Sequence, residues 1–130
     1  MRIRREVLAG IIVHARHDAP LECCGLLVGG GDLIDEYVAT RNVRQSDAAF
    51  EIDAAQHFAV IKRTRGTGRT IVGAYHSHPR SPARPSPTDL AQAYPEMLYV
   101  IVSLAEEPPD VRAYQLAGDA FEPVPLIADA

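Results

Sequence analysis

Two long apolar runs constrain the fold of this chain most strongly. The segments TIVGAYHSH (residues 70–78) and MLYVIVSL (residues 97–104) are nearly continuously apolar and rich in β-branched and aromatic residues. A strand exposed on one face alternates polar and apolar residues, so continuous runs of this kind are typical of central strands covered on both faces. They predict an α/β fold in which helices pack against a sheet.

The rest of the chain supplies further strands and helices. Apolar residues in helical spacing over residues 7–15 predict a first helix, and Asp53 with Gln56 predicts a capping box that opens a second helix ending near Gly66. The segments CGLLVGG, LIDEYVA, VRAYQL and FEPVPLI predict strands, the last at an edge because it contains two prolines. We therefore expect a central mixed sheet flanked by about three helices.

Size, charge and cysteine usage limit the classes of protein to consider. The chain has 130 residues, 47% of them hydrophobic, which suits one globular domain over residues 1–130. A formal net charge of −4 argues against a nucleic-acid-binding protein. No segment approaches the roughly 20 apolar residues that span a bilayer. The adjacent Cys23 and Cys24 cannot join distant segments, and the basic N-terminus lacks a cleavage pattern, so we expect a cytoplasmic protein.

The end of the first apolar run carries candidate metal ligands. His76 and His78 are separated by one residue, so in a strand both side chains project from the same face. Downstream, Ser86 fits a helix N-cap, Pro87 fits the first helical position and Asp89 lies in the first turn. If the intervening loop folds back, two ring nitrogens and a carboxylate converge. Three such ligands with a fourth position left to water are typical of catalytic zinc.

Other polar residues have simpler interpretations when taken singly. Glu22 precedes the strand CGLLVGG and is a candidate general base, although carboxylates at strand ends are usually solvated. Ser-Pro-Thr-Asp is a common helix cap in its own right. His14 and His17 lie one turn apart on the predicted first helix and are assigned to a solvated helix face. The combination of Glu22 with the histidine pair and the capped helix favours a catalytic site.

The complete pattern resembles the JAMM motif of the MPN+ metallopeptidases. Seven residues separate His78 from Ser86, Asp89 follows three positions later, and Glu22 lies upstream, all as in that motif. The resemblance covers most of the chain, because further similar segments occur at Asn42-Val43, Phe50-x-Ile52-Asp53 and Ile71-Val72-Gly73. It is closest in kind to the short prokaryotic members. The resemblance implies an MPN domain, which is a fold similar to that of cytidine deaminases.

The resemblance also implies the chemistry of the site. His76, His78 and Asp89 would bind Zn²⁺, Glu22 would act as general base, and Ser86 would donate a hydrogen bond to the developing oxyanion. The implied substrate is an amide or isopeptide bond after the C-terminal Gly-Gly of a ubiquitin-like or sulfur-carrier protein. Further substrate contacts are expected from four residues: Asn42, Phe50, Arg80 and Arg84.

Alternative functions differ in the residues that they require. A non-catalytic MPN scaffold would have lost one or more of the five motif residues, all of which are present here. A nucleobase deaminase requires Cys-x-x-Cys, which this chain lacks. A free-standing peptidase of the phage-tail JAMM type stays open, as do the oligomeric state, the preference between isopeptide and linear bonds, and the need for an activating partner.

Overall fold

A computed structural model of the chain describes residues 1–129, which form one eight-stranded sheet and three helices. The elements in chain order are β1 (Arg2–Arg4), α1 (Arg5–Asp18), β2 (Cys24–Gly30), β3 (Leu33–Thr40), α2 (Ala54–Thr64), β4 (Thr70–His78), α3 (Pro87–Ala91), β5 (Leu98–Ser103), β6 (Asp110–Ala117), β7 (Ala120–Val124) and β8 (Ile127–Asp129). The strand order across the sheet is β7-β6-β5-β4-β2-β3-β1-β8. The predicted α/β class with a mixed sheet and three helices is confirmed.

The two long apolar runs form the centre of the sheet, as predicted. β4 pairs with β5 in parallel and with β2 in antiparallel orientation. All six residues of β5 are buried, and β4 is buried from Gly73 to its end. Gly73 permits the close approach of these strands, because a Cβ atom at this position would collide with the carbonyl group of Leu98. The buried end of β4 carries both candidate metal-ligating histidines.

Helices cover both faces of the sheet. The buried side of α1 contributes Val7, Ile11 and Ala15 to the main core cluster, which also contains Tyr75 of β4 and Val100 of β5. α2 covers a second cluster, in which Val60 packs with apolar residues of β2. Burying one such aliphatic side chain stabilises the fold by about 1.5–3 kcal/mol. The two clusters therefore hold β4 between packed layers.

The segment FEPVPLI differs from its prediction as a single edge strand. It forms two strands, β7 and β8, which lie at opposite edges of the sheet although only Pro125 and Leu126 separate them. Two linking residues span at most about 11 Å from one strand to the next. The sheet must therefore curl until its two edges approach each other. Sequence periodicity does not report this curling, because it depends on the twist accumulated over all eight strands.

Two details near the helices also differ from the predictions. Residues 2–4 form β1, which pairs in parallel with β3 and β8, whereas sequence analysis found only a helix in this region. In α2 the side chain of Asp53 caps the amide of Gln56 as predicted, but the Gln56 side chain accepts from the Arg41 amide instead of completing the box. Among residues 1–129, no helix combines the length and apolarity needed to cross a membrane.

Candidate metal centre

Three of the predicted site residues meet at the end of β4. The Nε2 atoms of His76 and His78 lie 3.2 Å apart, and each lies 3.2 Å from Oδ2 of Asp89. All three residues are buried. The three ligand atoms thus form an equilateral triangle, and one ion could contact all three.

The backbone of two elements produces this convergence. His76 and His78 share a face of β4, and Ser77 between them points to the other side, where its Oγ accepts from the Cys23 amide at 2.8 Å. Asp89 lies in the first turn of α3. Its amide donates to Ser86 Oγ at 3.1 Å, and its Oδ2 accepts from the Ser86 amide at 2.9 Å. This capping box fixes the direction of the Asp89 carboxylate.

The triangle fits a tetrahedral metal ion. An ion with nitrogen and oxygen ligands at about 2.0–2.1 Å has neighbouring ligand atoms about 3.3 Å apart, close to the observed separation. The Nδ1–H of His78 donates to the Pro82 carbonyl at 2.8 Å, which leaves the Nε2 lone pair directed at the centre. Within residues 1–129, this is the one group of three potential ligands whose atoms lie within 4.8 Å of one another. The residues fit a metal ion with one open position.

The electrostatics of the triangle favour a cation. Burial alone would raise the pKa of Asp89, but its contacts with both imidazoles and the hydrogen bond from the Ser86 amide hold this pKa well below its usual range. Burial lowers the pKa of His76 and so favours its neutral, ligating form. Burial acts in the same direction on His78, but contacts with Asp89 and the Pro82 carbonyl outweigh it and raise the pKa of that ring. The centre therefore combines an ionised carboxylate with converging imidazole nitrogens.

The strand β2 places Glu22 beside this triangle. Cys24 at the start of β2 pairs with His76, and the Ser77 amide donates to the Cys23 carbonyl at 3.1 Å, so the antiparallel pairing continues beyond the strand. Glu22 is the next residue of that ladder. Alternation along an extended segment puts its side chain on the face of Cys24 and His76. The predicted general base thus lies on the face that carries the histidines.

The carboxyl group of Glu22 is buried without full compensation. Glu22 is 4% exposed, and its Oε1 has no hydrogen-bond partner among residues 1–129. Burial raises its pKa to about 7; the charge of His78 lowers it, while the charges of Asp89 and Asp47 raise it further. A carboxyl group that titrates near neutral pH can both accept and return a proton.

Asn42 and Phe50 lie on the β3–α2 loop (residues 41–53), which borders the site. The Asn42 amide group is buried and makes hydrogen bonds only to backbone atoms. The Phe50 ring stacks on the ring of His76, with 4.3 Å between centroids and 18° between planes. Substrate contacts by both residues stay predictions. The stacking of Phe50 on a candidate ligand was not anticipated.

Arg80 and Arg84 are exposed on the loop that joins β4 to α3. Backbone carbonyl groups anchor this loop: those of Ser81, Pro82 and Ala83 accept hydrogen bonds from Ser103, His78 and Tyr114 respectively. The two arginines are therefore presented at the surface by a well-held backbone. The Pro82 carbonyl, which orients His78, was not predicted from the sequence. Every residue presents a carbonyl group, so residue type carries no signal for this contact.

The fold and the site define a JAB-type metallopeptidase domain, and comparisons with known proteins agree. Residues 4–117 match the family described as prokaryotic homologs of the JAB domain. The chain is 30% identical to the CysO-cysteine peptidase of Mycobacterium tuberculosis, over 96% of this chain and 90% of that protein. It is 33% identical to the desampylase of Haloferax volcanii, over 85% of this chain and 84% of that protein.

A solved structure gives the same assignment. The structure described as "JAMM: A Metalloprotease-like Zinc Site in the Proteasome and Signalosome" superimposes with a TM-score of 0.67 at 25% identity, covering 100% of this chain and 98% of that one. The chain belongs to the family of prokaryotic JAB-domain homologues. The MPN fold expected from the sequence is thereby confirmed.

Proposed function

We propose that this protein is a zinc-dependent metallopeptidase that hydrolyses the amide bond after the C-terminal Gly-Gly of a ubiquitin-like or sulfur-carrier protein. The observation that carries the proposal is the 3.2 Å triangle of ligand atoms from His76, His78 and Asp89 beside the buried Glu22. Relatives named as a CysO-cysteine peptidase and a desampylase support hydrolysis of a bond to a small carrier protein.

The donor set favours zinc. Two imidazoles and one carboxylate with an open fourth position form a ligand set of catalytic zinc sites. Bound at this triangle, Zn²⁺ would polarise the scissile carbonyl group and the attacking water. The similarity to a structure described as a metalloprotease-like zinc site supports the same metal.

Glu22 performs the proton transfers in this proposal. Its carboxylate takes a proton from the attacking water while that water adds to the scissile carbonyl carbon. The same carboxyl group then returns the proton to the nitrogen of the leaving amine as the C–N bond breaks. In the metal-free protein, burial raises the pKa of Glu22 to about 7. A bound cation would lower this pKa and so favour the ionised carboxylate that the first step requires.

Ser86 has one hydroxyl proton available for the substrate. Its Oγ already accepts from the Asp89 amide at 3.1 Å, and a hydroxyl group can donate at the same time. We propose that it donates to the oxyanion that forms on the carbonyl oxygen. Ser86→Ala should lower kcat by about 10²–10³-fold, and Ser86→Thr, which keeps the hydroxyl group, should retain most activity.

Loss of the N-cap at Ser86 is a separate effect of the same substitution. It should cost about 1 kcal/mol of stability, so zinc content and the unfolding midpoint need to be measured with kcat. A Ser86→Ala variant with full zinc content and unchanged kcat would limit Ser86 to capping.

A small cavity lies beside His76 and Asp89. Phe50, Pro85 and Gln92 are among the residues that line it, and its volume of about 20 Å³ is that of about one water molecule. The glycine tail in this proposal therefore rests on the resemblance of the sequence to the MPN+ metallopeptidases and not on this cavity. Arg80 and Arg84 are exposed on the neighbouring loop and are proposed to contact acidic residues of the carrier.

Three broader statements belong to the same proposal. We treat residues 1–130 as one domain, supported by the single sheet that joins all eight strands. We place the protein in the cytoplasm, supported by its two buried free cysteines. We expect neither nucleic acid nor a membrane as partner.

Intact-mass analysis tests the proposal directly. Gly-Gly-tailed carrier proteins, conjugated through their C-terminus to cysteine or to a lysine side chain, are incubated with the zinc-loaded wild type and with Glu22→Gln. We expect the wild type to release the free Gly-Gly carrier and the variant to be slower by about 10²–10⁴-fold with equal zinc content. Comparing the two conjugates separates linear from isopeptide preference.

The result against the proposal is equally clear. Zinc-loaded wild type that cleaves none of these conjugates would contradict the proposed substrate, and wild type that binds no zinc would contradict the catalytic assignment and favour a scaffold.

A further inference from the structure

The β3–α2 loop binds both peptide groups of Glu22. The Glu22 amide donates to the Ser46 carbonyl at 2.8 Å, and the Glu22 carbonyl accepts from Asn42 Nδ2 at 3.1 Å. Glu22 lies before β2, whose pairing with β3 and β4 begins at Cys24. The residue after Glu22 is bound to β4 through Ser77, whereas the amide and carbonyl groups of Glu22 itself are bound by the β3–α2 loop.

Asn42 is the centre of this arrangement. Its two amide hydrogens go to the carbonyl groups of Glu22 and Ala49, at 3.1 and 3.0 Å. Its Oδ1 accepts from the amides of Arg44 and Glu51, at 3.1 and 3.0 Å. An amide side chain has two donor hydrogens and two acceptor positions, so Asn42 is saturated by backbone contacts. It closes the loop on itself and ties the closed loop to Glu22.

The same loop also reaches the metal ligands. Phe50 stacks on His76 at 4.3 Å, and the half-buried Ile52 packs under α2 with the second core cluster. Asn42 and Ile52 form an isolated antiparallel bridge, which closes the loop at its base. One short segment thus contacts the backbone of the candidate base and the ring of a candidate ligand. These contacts link the Glu22 backbone to the His76 ring through one loop.

We propose that Asn42 is a positioning residue of this active site, which through the β3–α2 loop holds Glu22 in place beside the three candidate ligands. The inference rests on the proposed function for its effect on catalysis, but its structural part does not. Loss of the Asn42 donors should loosen the Glu22 backbone and slow the proton transfers. It should leave the metal ligands in place, because β4 and α3 hold them.

The variant Asn42→Asp separates the contribution of the amide donors of Asn42 from that of its acceptor oxygen. It keeps an oxygen acceptor for the amides of Arg44 and Glu51 and removes both donors, including the one to Glu22. The matched control is Arg44→Ala, which alters an exposed side chain of the same loop while its amide still donates to Asn42. Asn42→Ser, which keeps one short donor, serves as a second variant should Asn42→Asp fail to fold.

Amide hydrogen exchange of the zinc-loaded proteins provides a readout independent of activity. We expect the Glu22 amide to exchange about tenfold faster in Asn42→Asp, whereas the Ser77 amide, bound to the Cys23 carbonyl, is unchanged. Zinc content should equal that of the wild type. On a cleaved carrier conjugate, kcat should fall by about 10–100-fold with little change in KM. Arg44→Ala should match the wild type in all three measurements.

The outcomes distinguish this inference from the proposed function. Unchanged Glu22 exchange in both Asn42 variants would overturn the positioning role. A raised KM with unchanged kcat would overturn it in favour of direct substrate contact by Asn42. If the wild type cleaves none of the conjugates, the proposed function fails, and the exchange rates alone decide whether Asn42 holds Glu22.

Discussion

Two regions of the molecule contain two histidines and an aspartate, but only one of them is a candidate metal centre. We call them the strand cluster (His76, His78, Asp89) and the helix cluster (His14, His17, Asp18). The strand cluster is buried and its ligand atoms form a triangle with 3.2 Å sides. The helix cluster lies on α1 and is partly exposed, with 84% of the His17 side chain accessible. Residue types are equal in the two clusters, so the difference lies in geometry.

The helix cluster directs its nitrogens to different partners. His14 Nδ1 contacts the Tyr75 hydroxyl at 2.8 Å, and its Nε2 contacts Oδ2 of Asp18 at 3.2 Å. His17 contacts the other carboxylate oxygen at 3.0 Å. The carboxylate thus separates the two imidazoles, and both nitrogens of His14 are occupied by protein groups. The comparison teaches that a metal site requires lone pairs aimed at one point. Here the end of β4 and the capped helix α3 provide them.

The sharpest way to break this comparison is to remove one ligand from each cluster. We expect His76→Ala to lose bound zinc, and with it the proposed hydrolysis, because only two of the three protein ligands remain at the site. His14→Ala should keep the same zinc content as the wild type. Metal analysis after dialysis measures both. Equal zinc in both variants would place the metal elsewhere.

The pH dependence of stability tests the surroundings of two carboxyl groups, Glu22 beside the strand cluster and Asp18 in the helix cluster. In the metal-free protein, the Glu22 pKa is raised from 4.5 to about 7, so the folded state holds this proton between these values and the unfolded state does not. The free energy of unfolding therefore falls as pH rises from 4.5 to 7. Glu22→Gln removes this dependence, and at pH 8 should be more stable than the wild type by up to about 3 kcal/mol.

Denaturant unfolding in the presence of a chelator, at pH 4 and pH 8, measures this difference. The stability gain should be present at pH 8 and largely absent at pH 4. Asp18→Asn in the helix cluster is the control, because its carboxylate is partly exposed and paired with imidazoles. A gain of equal size at both pH values would contradict the raised pKa of Glu22.

A smaller effect tests the structural role of His14. Tyr75 is fully buried and its hydroxyl group contacts His14 Nδ1, so His14→Ala leaves a buried polar group without this partner. We expect a loss of about 1–3 kcal/mol in the free energy of unfolding. Adding Tyr75→Phe should recover part of that loss, since the two residues share one contact. If the loss in the double variant equals the sum of the losses in His14→Ala and Tyr75→Phe, the contact contributes nothing to stability.

The smallest effect is expected at His17. Its side chain is largely exposed, and among residues 1–129 its one polar side-chain contact is with the neighbouring Asp18. His17→Ala should change the free energy of unfolding by less than about 0.5 kcal/mol, with unchanged zinc content. A larger loss in thermal or denaturant unfolding would mean that the helix cluster is a coupled network.

Much of the site could be predicted because local backbone rules control it. Strand alternation placed His76 and His78 on one face, and the Ser86 cap with Pro87 placed Asp89 in the first turn of a helix. Each of these rules acts over a few residues, so the sequence carries it. The solvated face predicted for His14 and His17 is right for His17 only, since His14 packs against Tyr75.

Other features depend on partners that are distant in sequence. In α2 the apolar Phe58 is 58% exposed whereas Thr64 is buried, because the sheet beneath the helix selects which side is covered. The stacking of Phe50 on His76 joins a loop to a strand 26 residues away in the numbering. Such contacts arise only once the elements have packed.

The sequence by itself determined the α/β class, the central strands and the identity of the three candidate ligands and of the candidate base. These follow from hydrophobic periodicity, turn and cap chemistry, and motif spacing, which are local properties. The tertiary structure alone decided that the ligand atoms meet at 3.2 Å, that burial raises the Glu22 pKa, and that Asn42 ties Glu22 to the loop. These depend on distances, burial and hydrogen-bond partners between remote segments, which exist only in the folded chain.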